Sequence, residues 1–280
     1  ASEREEIEDS SMANLDGELV RAFLERNKGG RLKGISTVDE QLHWLGVTSN
    51  SGKLCLCGLM ALGQFPQQFL PTCSIDVIAW PGTAFDIEAN LRYIDRLICE
   101  GPLPVMVCDA VAFVMRNLRC CGVVQGAGRI DIPEIPRDAI REAIANAVIH
   151  REYSPQFRGG PVRVNIYSDY VEVINPGGLW GGKNLLNISD GNSRCRNPTL
   201  MRMMRDVPLS SEIGTGVEGI GRGVSTMTKK MRDQGLPAPS FKVTPDQVTV
   251  RLFRPSIWPP EVDQWGNVAF PENPPLKIPE

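Results

Sequence analysis

Residues 136–150 read PRDAIREAIANAVIH, and this stretch predicts the helix on which the second half of the chain is built. Pro136 suits the first turn of a helix, because the N–H group that proline lacks has no partner there. Glu142, Asn146 and His150 are spaced four apart, so their side chains share one side of the helix. The other side is apolar and consists of Ala139, Ile140, Ala143, Ile144, Ala147 and Val148.

The polar side of this helix has two interpretations. An asparagine oxygen can ligate Mg²⁺, which prefers oxygen donors, and a glutamate can accept the proton of a water that attacks a phosphate. A carboxylate, an amide and an imidazole in one line would therefore suit a metal-phosphate site. The same residues also fit an ordinary solvated helix face, and both interpretations stay open on this segment alone.

Two glycine-containing segments follow the helix. Residues 175–178 read Asn-Pro-Gly-Gly after an apolar strand, which fits either a plain turn or a polar group beside backbone that a ligand can approach. Residues 213–223 contain five glycines and lead into another helix. Backbone N–H groups before a helix favour anions, so this segment is either a phosphate cradle or a flexible loop. It fits neither the P-loop nor the Rossmann pattern.

The order of elements predicts an α+β fold. From residue 136 the order is helix, hairpin, loop, helix, glycine loop, helix and hairpin, which predicts a two-layer α/β sandwich with helices on one face of a mostly antiparallel sheet. At 280 residues the chain has room for about two domains. We expect four regions along the chain: a disordered leader or linker at 1–12, a smaller helix-rich α/β domain at 13–130, the sandwich at 131–255, and a proline-rich tail at 256–280.

The first half carries weaker signals. Helices are predicted at 15–27, 37–45 and 87–99, and residues 54–62 read as a strand or a buried segment. The helices at 15–27 and 37–45, followed by residues 54–62, could form a helix-turn-helix with a wing, or a small helical packing domain. A modest basic cluster in this region could contact a phosphate backbone, and it consists of Arg21, Arg26, Lys28, Arg31 and Lys33.

Composition excludes several classes of protein. The net charge is −3, with 42% hydrophobic and 22% charged residues, which argues against global disorder and against a surface built wholly for polyanions. No run of 18 apolar residues is present, so no transmembrane helix and no membrane partner are expected. The eight cysteines form no C-x-x-C pair, which favours buried thiols in a reducing cytoplasm over a zinc site. The chain does not begin with Met, which suggests a processed or excised piece.

Taken together, the three segments resemble the Bergerat-fold (GHKL) ATPases, which include DNA gyrase B subunits, MutL, ninety-kilodalton heat-shock chaperones and sensor histidine kinases. A subgroup that the chain resembles more closely is that of transcriptional regulators known by the label of RecG-like ATP-dependent DNA helicases. The resemblance covers most of residues 15–255. The blocks that carry it are Gly63-Gln64-Phe65-Pro66, Phe69-Leu70-Pro71, Glu142-Ala143, Asn146-Ala147, His150-Arg151-Glu152-Tyr153, Asn175-Pro176-Gly177-Gly178, Arg196-Asn197-Pro198, Gly214-Thr215-Gly216 and Gly235-Leu236-Pro237.

The resemblance implies roles for individual residues, with ATP and Mg²⁺ as cofactors. Asn146 would ligate the Mg²⁺ that bridges the phosphates, and Glu142 would be the general base if hydrolysis occurs. Gly177 and Gly178 would let the adenine approach the backbone. Gly214, Thr215 and Gly216 would donate hydrogen bonds to phosphate oxygens, and residues 179–212 would form a lid over the nucleotide.

One position departs from the family. Bergerat-fold proteins contact the adenine amino group with an aspartate in the first glycine box, and this chain has Asn175 there. An amide oxygen still accepts that hydrogen bond, but without charge assistance.

At the level of function, the resemblance implies an ATP-binding regulatory protein that serves transcription or another DNA transaction, with at most slow Mg²⁺-dependent ATP hydrolysis. The sequence has no P-loop lysine, so helicase activity is not expected. DNA contact would come mainly from an AlbA-like (Schlafen-type) N-terminal domain, which such proteins carry and which we do not find in this sequence. Homodimerisation on nucleotide closure is a further implication. The alternative is a non-catalytic DNA- or protein-binding module whose nucleotide site has decayed, and Asn175 motivates it.

Overall fold

A computed structural model describes residues 2–84, 91–188, 190–191, 194–207 and 223–273 of the chain. The α-helices in these ranges are α1 (Gly17–Asn27), α2 (Val38–Trp44), α3 (Leu56–Leu62), α4 (Leu103–Arg116), α5 (Arg137–His150), α6 (Pro198–Asp206) and α7 (Gly223–Asp233). The strands are β1 (Ile75–Ala79), β2 (Asp95–Cys99), β3 (Cys120–Gln125), β4 (Gly128–Pro133), β5 (Val162–Ile166), β6 (Tyr170–Pro176), β7 (Ser240–Val243), β8 (Gln247–Phe253), β9 (Glu261–Val262) and β10 (Val268–Ala269).

A six-stranded sheet in the order β2-β1-β5-β6-β8-β7 forms the centre of the molecule. Its pairings are antiparallel except for the parallel pair of β1 and β5. Val77, Val164 and Val173 face each other across neighbouring strands and are buried, so they mark the inner face. Helices α4 and α5 contact strands of this sheet, and α7 packs against α5. The predicted α+β class with a mostly antiparallel sheet is confirmed.

Helix α5 is the predicted helix of the opening stretch. It starts after Pro136, and its small apolar residues are buried against the sheet and the neighbouring helices. The carboxyl end of the helix is fixed by Asn197, whose Nδ2 donates to the carbonyl oxygens of Ile149 and Arg151 at 2.8 Å each. Satisfying carbonyls that have no partner within the helix holds the last turn in place.

The sheet continues across the boundary that we expected at residues 130/131. Strands β1 and β2 belong to the first half, yet β1 pairs with β5 of the second half from Ile75 to Ala79. Trp80 Nε1 also donates to Asn165 Oδ1 at 3.0 Å across the two halves. One cluster of buried apolar residues extends from Ile7 to Leu252. The first half therefore supplies two strands, β1 and β2, to the central sheet.

Residues 2–12, which we expected to be a disordered leader, are packed onto the first half. Ile7 N donates to Leu54 O at 2.9 Å, and Leu56 N donates to Glu5 O at 2.8 Å. Glu3 is 2% exposed despite its charge. The acidic composition suggested solvation, but the carboxylate of Glu3 has backbone partners in α6, and this pairing offsets the cost of its burial.

Three other elements differ from their predictions. Residues 56–62 form a helix that is buried on every side, so this segment cannot be the DNA-contacting wing of a helix-turn-helix. Residues 95–99 form strand β2 in a region where we predicted a helix. The described part of the tail is not simply extended, because β9 and β10 form a short hairpin and Asn273 N donates to Gly235 O at 3.1 Å.

No helix among the described residues is long and apolar enough to cross a membrane. The eight cysteines are free, and Cys55, Cys57, Cys73 and Cys99 are buried. Within the described ranges, no group of three or more His, Cys, Asp and Glu side chains is placed to hold a metal ion.

Candidate functional site

A cavity of about 160 Å³ lies between α5 and the inner face of the sheet. Helix α5 contributes Ala143, Asn146, Ala147 and His150, and α7 contributes Gly223, Val224 and Met227. The sheet contributes Val173, Asn175, Phe241, Val248 and Val250. The segment after β6 contributes Gly178, Leu179, Trp180, Lys183, Ile188 and Arg194. The walls are mostly apolar, with a few polar groups that converge on one space, as is typical of small-molecule sites.

Asn146 lies in the middle of α5, where its amide meets the first residue of α7. A Cβ atom on Gly223 would lie 2.4 Å from Asn146 Nδ2, so only glycine allows this approach. The first N–H groups of a helix have no partner inside the helix and attract anions. The Asn146 amide and the start of α7 thus lie at the same wall of the cavity.

Asn175 lies on β6, on the opposite wall. Its side chain is buried at 7% exposure among valines of the sheet, and its Oδ1 accepts no hydrogen bond from the described residues. A buried acceptor without a donor costs about 1–3 kcal/mol. An acceptor left in this state beside a cavity suits a ligand that brings the missing donor.

Gly177 and Gly178 are required by the protein around them. Gly177 has a φ of +96°, and a Cβ there would lie 2.5 Å from Glu152 Cβ and 2.6 Å from Arg196 Nη1. A Cβ on Gly178 would lie 2.8 Å from the carbonyl oxygens of Thr244 and Pro245. Only Gly178 lines the cavity, and Gly177 lies in an adjoining cleft. These glycines therefore allow the β6 end to pack, which is a different reason from the predicted approach of a base.

Arg196 joins the elements around the cavity, whereas from the sequence it was named only as part of the Arg196-Asn197-Pro198 block and of the expected lid. Its Nη2 donates to Gly178 O at 2.8 Å and its Nη1 donates to His150 O at 3.3 Å. The guanidinium carbon lies 5.3 Å from the ring centroid of Trp180. We expected the whole segment 179–212 to form a lid. Within this segment, the side chain of Arg196 is largely buried and links α5 to the turn after β6.

His150 lines the cavity as a neutral imidazole. Burial, with a further contribution from the nearby Arg196 guanidinium, lowers the pKa of His150 to about 4. The ring therefore offers one donor and one acceptor to the cavity at neutral pH and carries no charge.

Glu142 has a different position from the other two members of its line. Its side chain is completely buried, and it is absent from the residues that line the cavity. Arg141 Nη2 lies 3.4 Å from Glu142 Oε1. Gly214, Thr215 and Gly216 lie outside the described residues. The structure thus brings Asn146, Asn175 and Gly178 together, but it does not place Glu142 with them.

Two cationic side chains also line the cavity. Lys183 Nζ donates to Asn187 O at 3.0 Å and pairs with Asp190 Oδ1 at 2.5 Å, so its charge is partly compensated. Arg194 is exposed and packs beside Gly181, where a Cβ would lie 3.1 Å from Arg194 Cβ. Cations beside an apolar cavity suit an anionic ligand with an apolar or aromatic part.

Comparison with known proteins gives two similarities. Residues 159–252 match the family described as "Putative ATP-dependent DNA helicase recG C-terminal", which supports an ATPase-like domain in this part of the chain. Among solved structures, the chain is similar to the DIP2311 protein from Corynebacterium diphtheriae, with a TM-score of 0.61 and 20% sequence identity. That similarity covers 91% of this chain and 48% of the other, so the chain spans about half the length of that structure. No match was found among curated proteins.

The family match supports an ATPase-like domain, and the solved structure shows a similar fold. The match includes β5, β6 and β8, and therefore Asn175 and Gly178. It begins at residue 159, after α5, and so does not include Asn146. The likeness to the solved structure concerns the fold alone. The role of α5 in the site thus rests on the geometry of the cavity.

Proposed function

We propose that this chain is an ATP-binding regulatory protein and that ATP, with Mg²⁺, occupies the cavity between α5 and the sheet. The observation that carries the proposal is the convergence of Asn146 and Asn175 on one cavity from opposite walls. The mostly apolar space suits the base of a nucleoside triphosphate. The two amides and the cations at the rim suit its polar groups and its phosphates. The match to an ATPase-like family supports the same conclusion.

The residues present fit Mg²⁺ held through a nucleotide. Mg²⁺ takes oxygen ligands, keeps several waters and is usually bound through one or two protein groups plus substrate phosphates. The Asn146 amide oxygen would be the protein ligand, and the metal would neutralise phosphate charge. Gly214, Thr215 and Gly216 would donate to phosphate oxygens.

Binding of ATP with Mg²⁺ can be measured directly by calorimetric titration. Asn146→Ala should weaken binding by about tenfold or more, because a hydrogen bond or ligand to a charged group contributes about 1.5–3 kcal/mol. Asn50→Ala is the matched control, since Asn50 is an exposed turn residue outside the cavity lining. Absence of saturable binding by the wild-type protein would contradict the proposal.

Hydrolysis, in this proposal, is slow at most, and the burial of Glu142 supports this part. A general base must come within hydrogen-bonding reach of the water that it deprotonates. In the structure Glu142 does not line the cavity. A phosphate-release assay on Glu142→Gln tests its role: turnover equal to that of the wild type would remove Glu142 as the base, and loss of turnover would assign it that role.

A non-catalytic DNA- or protein-binding module is the second candidate. The observation that favours it is the basic cluster of α1 and the following turn, whose side chains are exposed. Within the proposed function, a role in transcription or another DNA transaction and a nucleotide-linked homodimer follow from the resemblance alone, and a cytoplasmic location follows from the free cysteines. DNA binding through this cluster should weaken steeply as salt rises, because contacts to phosphates release counterions. Salt-independent retention would argue against such contacts.

Sedimentation with and without ATP tests the homodimer. A sedimentation coefficient that rises on addition of ATP and Mg²⁺ would support it, and an unchanged monomer under saturating ATP would oppose it.

A further inference from the structure

The amide of Asn175 is the feature of the cavity that would contact a base. It is the one polar side chain that the sheet contributes to the cavity among the described residues, and Val173, Val248 and Val250 surround it there. It is more than nine-tenths buried. No hydrogen bond from a described residue reaches its Oδ1. Nothing in the described part of the chain therefore fixes which way the amide faces.

An amide that is free to turn can serve two opposite hydrogen-bonding patterns. Its oxygen accepts and its nitrogen donates, and rotation by half a turn exchanges the two. Adenine presents an amino donor at position 6 beside the N1 acceptor. Guanine presents a carbonyl acceptor at position 6 beside an N1–H donor. One orientation of the amide pairs with the first edge, and the other orientation pairs with the second.

We infer that the site accepts adenine and guanine nucleotides with similar affinity, and that Asn175 is the residue responsible for this tolerance. The inference rests on the proposed nucleotide function and adds the class of ligand, which is purine nucleoside triphosphates. A neighbouring donor or acceptor could have locked the amide in one orientation and selected one base. The valines around Asn175 supply neither group, so the ligand itself orients the amide.

Calorimetric titration of the wild-type protein with ATP, GTP and ITP, each with Mg²⁺, tests the inference. ITP carries the carbonyl at position 6 but lacks the 2-amino group of GTP, so it isolates the contact at position 6. The dissociation constants of the three nucleotides should agree within about tenfold, which is less than a fixed bidentate contact provides. A preference larger than about tenfold for ATP over both GTP and ITP, or the reverse, would overturn the inference.

This experiment separates failure of the inference from failure of the proposed function. If no nucleotide binds, the proposed function fails. If ATP binds strongly and GTP and ITP do not, the function stands and the tolerance is refuted. The comparison uses the wild-type chain only, so it does not depend on the folding of a variant.

Asn175→Ala provides a second, independent test. Alanine removes both the acceptor and the donor of the amide, so it should weaken the binding of ATP and of GTP alike, by about tenfold or more. Asn50→Ala, at an exposed turn outside the cavity lining, should leave both affinities unchanged. A folded Asn175→Ala variant that binds both nucleotides as the wild type does, or that loses the binding of only one of them, would refute the role of Asn175.

Discussion

His150 makes the stability of the molecule depend on pH in a defined direction. Burial and Arg196 lower its pKa to about 4 in the folded protein, whereas an unfolded histidine titrates near its ordinary value of 6.5. As pH falls below this value, the unfolded chain binds a proton first, so the free energy of unfolding decreases between about pH 6.5 and pH 4. His150→Gln should remove this contribution to the pH dependence of the free energy of unfolding, which amounts to about 1–2 kcal/mol between pH 7 and pH 5.

Urea denaturation of both proteins at several pH values measures this effect. Between pH 7 and pH 8 the wild type and His150→Gln should show parallel changes, because neither state of His150 titrates strongly there. Between pH 7 and pH 5 the wild type should lose more stability than the variant. Equal losses over that range would show that His150 is protonated as easily in the folded state as in the unfolded state.

At the scale of the residue, the sequence was a better guide to which side chains lie near each other than to what each side chain does. Asn146 could be placed on the helix from spacing alone, and Asn175 at a strand end from its turn residues. The burial of Glu142 could not be predicted, because the apolar stripe of α5 does not show how far neighbouring elements cover the polar side. The role of Arg196 was not predicted, because its acceptors are backbone carbonyls of His150 and Gly178, which leave no mark in a sequence.

At the scale of the element, the amino end of α6 is capped by a residue that is distant in the sequence. Glu3 Oε1 accepts from Thr199 N at 3.1 Å, and Glu3 Oε2 accepts from Leu200 N at 2.9 Å. Glu3→Ala should lower the free energy of unfolding by about 1–3 kcal/mol, because two buried N–H groups lose their acceptor. Urea denaturation measures the loss. The control is Glu8→Ala at an exposed position of the same segment, and an equal effect of both substitutions would contradict the capping role.

Element type was predicted well where the periodicity agreed with burial and poorly where it did not. The hairpin of β5 and β6 alternates as expected and is present in the structure. Strand β2 lies where apolar spacing suggested a helix, but Ile94 and Ile98 of that region are 63% and 51% exposed. Their spacing therefore did not reflect a buried face, and pairing with β1 determined the strand. For α3, a continuous apolar run could not distinguish a buried helix from a buried strand.

At the scale of the whole molecule, the two halves share a sheet and a core. The composition and the order of elements suggested two units, because no local signal shows that β1 pairs in parallel with β5. Parallel pairing joins strands far apart in the sequence, and its register depends on the final packing. Since α4 also packs between the first-half strands and α5, we expect the halves to unfold together.

Hydrogen exchange in a core variant tests this coupling. Leu59 in α3 is completely buried, and Leu59→Ala should cost about 2–5 kcal/mol through lost burial and the cavity that remains. If unfolding is global, the slowest amides of β6 and β8 should lose the same free energy of exchange as those of α3, although they lie in the other half. Leu186→Ala is the matched control, because Leu186 is 97% exposed and its removal should change neither group. Loss of protection confined to α3, with β6 and β8 unchanged, would show that the second half is stable independently of the first.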